Sequence, residues 1–110
     1  MSDSVNKDRD GKEIANIARA MLGQRMSFTE GALKIRRLWL GANLPDMDSD
    51  ILPIIGVISE TDRFPLGEVR KHWAPEALEK LQPEFERAEE WARQSASAAC
   101  QKLIDRFDPT

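Results

Sequence analysis

The feature that most constrains this chain is the run from Pro83 to Phe107. Phe85, Ala88, Ala92, Ala96, Ala99, Leu103 and Phe107 follow one another in steps of three and four. That spacing puts small and apolar side chains on one stripe of an α-helix. A helix of this length spans about 36 Å at a rise of 1.5 Å per residue. Shorter helices must cover its stripe, because nothing else in the chain reads as a sheet.

The rest of the sequence supplies those helices. Ile14, Ile17, Ala18, Met21 and Leu22 recur at helical spacing, with Gly23 placed to stop the segment as a C′ residue. Residues 1–10 read as a frayed terminus with Asp10 as a cap. Ser27 and Glu30 have the spacing of a capping box. They predict a second helix from Phe28 to about Leu40, with Phe28, Ala32, Ile35 and Trp39 as its stripe and Gly41 as its stop. Lys34, Arg36 and Arg37 fall on the solvent side. The segment from Ile51 to Ser59 has the β-branched residues of a buried strand, but no partner strand exists for its backbone. Pro53 suits the first turn of a short helix capped by Asp48, Ser49 or Asp50, and that reading is preferred. A single turn near 68–73 follows. A fresh helix then opens at Pro75, which Pro83 either kinks or restarts. The expectation is an all-α protein: one domain over residues 1–110, built as a single bundle of four to five helices with a long C-terminal helix.

Composition narrows the function classes. The net charge is −3, which does not favour nucleic-acid phosphates. Arg36, Arg37, Arg63, Arg70 and Lys71 are the residues that would have to converge for that reading to hold. The stretch before Lys12 has no apolar segment of the signal-peptide kind, and Ile51 to Ile58 is too short to cross a bilayer. A cytoplasmic protein is expected.

Chemistry finds few footholds. There is one cysteine, Cys100, in a small-residue run, which reads as a buried structural side chain. The one histidine, His72, lacks a partner in sequence. Residues 6–11 and 46–50 alternate acids in the manner of a calcium loop. Their twelfth positions are Ile17 and Val57, where a Glu is required. Glu60 and Asp62 form a carboxylate pair without an evident cleft. Neither a catalytic set nor a metal or cofactor site is expected.

The densest polar segment is Ser59 to Trp73. It reads structurally with Asp62 capping a turn, Arg63 or Arg70 pairing with Glu60, and Phe64 and Trp73 filling the core beneath. It also reads as a recognition surface. The pattern S-E-T-D-x-x-P-x-G-x-x-R-x-x-W in this segment resembles a stretch of small uncharacterised bacterial helical proteins. That resemblance implies a similar helical fold over most of the chain and no activity, so it gives no residue a role.

The expected function is a non-enzymatic protein-binding module with one protein partner. An immunity protein that neutralises a toxin by direct binding is the concrete form of it. Asp46, Asp48, Asp50, Glu60, Asp62 and Arg63 are the candidate contact residues, with acids that would steer a basic partner. The alternative is a helical regulator or adaptor that self-associates through the Ala-rich face of the last helix. Nucleic-acid binding ranks third.

Overall fold

The C-terminal pattern folds as one continuous helix that begins eight residues before Pro83. The computed structural model describes residues 2–45, 48–65 and 69–108, and side chains from Lys7 onward. Four helices form: α1 Ser2–Leu22, α2 Phe28–Leu38, α3 Leu52–Thr61 and α4 Pro75–Phe107, with a 3₁₀ turn at Val69–His72 before α4. No strand occurs among the described residues. The longest dimension is 50 Å, the length of a 33-residue helix at about 1.5 Å per residue. Thus α4 is the spine. It packs against α1, α2 and α3, while α2 also touches α1 and α3.

Pro83 neither stops nor restarts α4. It is exposed, as is Glu79, whose carbonyl loses its intrahelical donor there. On this exposed turn the freed carbonyl is not sealed in the core, so the break costs less than it would there. The buried positions of α4 begin only at Ala92. Its first turns project past the bundle and carry a satellite cluster of Leu78, Leu81 and Phe85 with Phe64, Pro65 and Arg70.

Most of the apolar stripe positions are the core, although Leu22, Phe85, Ala88 and Phe107 are only partly buried and Cys100 and Ile104 join it from outside the α4 stripe. Ile14, Ile17, Ala18 and Met21 of α1 meet Phe28, Ala32, Ile35 and Trp39 of the α2 segment, Ile54 and Val57 of α3, and Ala92, Ala96, Cys100 and Leu103 of α4. The segment after Ile51 is the short helix expected, with Pro53 in its first turn. It has no side-chain cap. Asp48 instead accepts from the Asp50 backbone N–H at 2.9 Å, in a turn outside the helix.

Several expectations are corrected. Residues 2–10 are helical and not a frayed terminus, so Asp10 caps nothing. Its carboxylate lies against Gly41, where a Cβ would collide with it. Neither Gly23 nor Gly41 provides a left-handed stop. Those positions are Gln24 (φ 62°) and Asn43 (φ 63°). At the first, Arg25 N–H reaches Ala20 O at 2.9 Å and Gln24 N–H reaches Met21 O at 3.2 Å. At the second, Leu44 N–H reaches Trp39 O at 2.8 Å and Asn43 N–H reaches Leu40 O at 3.1 Å. Both sets are Schellman closures. The Ala-rich face of α4 is not a self-association surface, because Ala92, Ala96 and Ala99 are buried in the monomer. Trp73 does not fill the core: it is 39% exposed beside a 3₁₀ turn with no buried residue.

At Gly11 of α1 the Phe107 ring of α4 packs directly against the helix backbone. Gly11 is buried, and a Cβ would strike the Phe107 ring. Gly11→Leu should therefore lower stability by about 1–3 kcal/mol through overpacking. A lower urea midpoint with unchanged slope is the expected record.

Candidate functional site

The candidate contact residues from the sequence separate into two groups at opposite ends of α3. Asp48 and Asp50 lie at its start and Glu60, Asp62 and Arg63 at its end, about 15 Å apart along the helix. Asp46 lies outside the described residues.

The first group is engaged within the chain. Arg106 of α4 donates to Asp48 Oδ2 at 2.9 Å and to Asp50 Oδ2 at 3.3 Å. The Asp50 backbone N–H, with burial opposing and Arg106 assisting, holds the Asp48 carboxyl below its ordinary range. The loop between α2 and α3 is thereby tied to the end of α4. A second tie, Arg19 to Asp108 at 2.8 Å, joins α1 to the same end.

The second group borders a surface hollow of about 550 Å³ between the end of α3 and the middle of α4. Its walls are Glu60 and Arg63 on one side and Glu84, Arg87, Ala88 and Trp91 on the other. The spacing from Glu84 through Arg87 and Ala88 to Trp91 places the α4 residues on one helical face. Arg63 pairs with Glu84 at 3.1 Å, not with Glu60. Its guanidinium also lies 4.3 Å from the centre of the Phe64 ring. Phe64 is buried and meets Phe85 edge-on at 5.4 Å. Stacking and the ion pair together fix Arg63 at the rim. Asp62, the C-cap of α3, is exposed just outside the hollow.

Trp91 was not among the residues singled out from the sequence. It is 40% exposed, although it sits in the helix that forms the spine. The signal was legible: it is a large aromatic one position away from the Ala88–Ala92 stripe, on the side of Arg87.

The other candidates do not converge. His72 is exposed on the 3₁₀ turn, and neither it nor Asp62 lines the hollow that takes Glu60. Arg36 lines a different groove, between α2 and α3, and Arg70 belongs to the satellite cluster. Among the described residues there is no group of three or more His, Cys, Asp or Glu able to hold a metal ion.

Cys100 is fully buried, and its thiol lies 4.0 Å from Met21 Sδ. Desolvation pushes its pKa from 9.0 to about 12. The thiol keeps its proton in the folded chain while the unfolded chain loses it near 9, so the unfolded state binds fewer protons between those values. Stability should fall as pH rises through that window, by at most about 1.4 kcal/mol per unit. Cys100→Ala should flatten the alkaline limb of a plot of unfolding free energy against pH. A native thiol that reacts with a disulfide reagent as fast as the unfolded one would contradict this burial.

Among the described residues, no helix is long and apolar enough to cross a membrane. Neither a curated protein nor a solved structure matches the chain. One family model does match, over residues 4–103, and it covers all four helices almost completely. On that match the chain belongs to the family described as "Protein of unknown function (DUF2489)".

Proposed function

We propose that this protein acts without catalysis, by docking a protein partner on the hollow between α3 and α4. The observation that carries this reading is Trp91, a large aromatic held 40% exposed in the middle of the spine helix, with Arg63 and Arg87 around it. Tryptophan and arginine are the residue types that most often dominate protein interfaces, because each combines a broad contact area with a specific polar group. Arg63 is already immobilised by Glu84 and Phe64, so little further ordering is needed when a partner arrives.

Two features support a role without bond-making chemistry. The one thiol is buried and protonated at neutral pH, and His72 is not among the residues that line the hollow with Glu60 and Glu84. A lone reduced thiol also accords with action in the cytoplasm. Neutralising a toxin is one form such docking takes. Among the described candidate acids, Glu60 is the one at the hollow left exposed for a basic partner, since Asp48 and Asp50 are bound to Arg106 and Asp62 lies outside the hollow.

The test is a tagged pull-down from the native host at moderate salt, with wild type beside Arg63→Glu. One protein in fixed ratio with wild type, and its loss from the variant at unchanged thermal stability, is the expected result. Equal recovery by both would remove the hollow as the docking surface.

A further inference from the structure

A second surface lies on the other side of α3. The helix is apolar almost all round, yet only Ile54, Val57 and Thr61 are buried. A helix of that composition is ordinarily covered on both sides. Leu52 is 44% exposed, and Ile55 and Ile58, packed against the core on one side, stay half-exposed on the other. Between them and the end of α2 runs a groove of about 480 Å³ walled by Trp39, Leu40, Ile55 and Ile58, with Arg36 and Ser59 at its edges. Leu40 protrudes beside it at 76% exposure, the highest among the exposed large apolar side chains described.

Gly56 lies at the border of this face, one turn after Leu52 and one turn before Glu60. It sits in mid-helix on the outward side, where an added Cβ would meet nothing within 4 Å. A mid-helix glycine costs roughly 0.5–1 kcal/mol relative to alanine. The monomer has no steric need for it, whereas a second surface approaching α3 closely does.

We propose that this α2–α3 face pairs with the same face of a second copy of the chain. The face carries both a knob, Leu40, and a hollow beside it. A two-fold contact seats each copy's knob in the other's hollow, as an isologous interface requires. The charges are self-complementary as well. Arg36 forms no ion pair among the described residues, and neither does Asp62, which lies one helical turn beyond Ser59. A carboxylate at a helix C-terminus opposes the helix dipole, and a cation from the second copy relieves that. Two-fold pairing sets each Arg36 against the other copy's Asp62. This surface is separate from the Trp91 hollow, so it stands or falls independently of the partner reading.

The test is sedimentation equilibrium of the full chain, whose monomer is 12.5 kDa. Wild type is expected to sediment at twice that mass. Leu40→Glu should give a monomer of unchanged helicity, because Leu40 is 76% exposed, and Gly56→Leu should give a monomer at least as helical as wild type, because the space there is open and leucine replaces a helix-weakening glycine. Arg36→Asp should weaken pairing about fivefold, and the exchange Arg36→Asp with Asp62→Arg should restore it. A wild-type monomer at millimolar concentration would overturn the proposal. So would a dimer indifferent to Leu40→Glu and Gly56→Leu.

Discussion

Glu89→Ala is expected to lower the stability of the fold by about 2–3 kcal/mol, the largest loss we anticipate from a single polar side chain. The first N–H groups of any helix have no intrahelical acceptor. In α2, Ser27 Oγ takes the N–H of Glu30 at 3.0 Å. The two preceding donors are satisfied from another helix. Glu89 of α4 accepts from Phe28 N–H at 2.9 Å and from Thr29 N–H at 2.8 Å, and the Thr29 hydroxyl donates to the same carboxylate at 2.8 Å. Phe28 and Thr29 are both buried, so water cannot easily replace the lost acceptor. The carboxylate also sits at the positive end of the α2 dipole, where negative charge is favoured. Thermal unfolding followed by circular dichroism should show a midpoint lowered by about 10 °C or more. Glu89→Gln keeps one acceptor and loses the charge, so its cost should be about half as large. A midpoint for Glu89→Ala within about 2 °C of wild type would mean that this cross-helix cap contributes little.

Trp91→Ala should weaken partner binding about thirtyfold or more, equivalent to about 2 kcal/mol. The expected cost to the fold is smaller, under about 1 kcal/mol, because the side chain is 40% exposed and lies outside the buried stripe of α4. Comparing the two effects separates docking from folding. Titration calorimetry with the co-purified partner measures the first and thermal unfolding the second. Trp91→Phe keeps much of the aromatic contact and should recover part of the affinity. An affinity that falls only in proportion to the folded fraction would assign Trp91 to the fold alone.

The architecture was legible because it rests on local rules. The steps of three and four in α1, α2 and α4 gave the buried stripes, and Ser27 with Glu30 marked the start of α2. What escaped was set by contacts distant in sequence. Glu89 looks like the acidic half of a pair with Arg93, one turn on. In the fold its carboxylate turns to α2, and the Arg93 guanidinium lies 5.0 Å from the centre of the Phe28 ring. Asp48 and Asp50 read from the sequence as helix caps or partner contacts, but in the fold both bind Arg106 from the far end of α4. Glycine was expected at the left-handed helix stops, but Gln24 and Asn43 occupy them. Gly11 and Gly41 instead leave room for Phe107 and Asp10. For the site, Glu60 and Arg63 both border the hollow, while the residue that makes the surface distinctive, Trp91, could be read only as an aromatic out of step with its stripe.

The measurement that bears most directly on the central claim is site-specific photo-crosslinking in the native host. A benzophenone amino acid is placed at Trp91 in one version and at Lys102, exposed elsewhere on α4, in another. Docking on the hollow predicts one discrete crosslinked protein from position 91, none from position 102, and loss of the product when Arg63→Glu is added. Crosslinking from both positions alike, or from neither, would contradict the assignment of this hollow as the surface through which the protein acts.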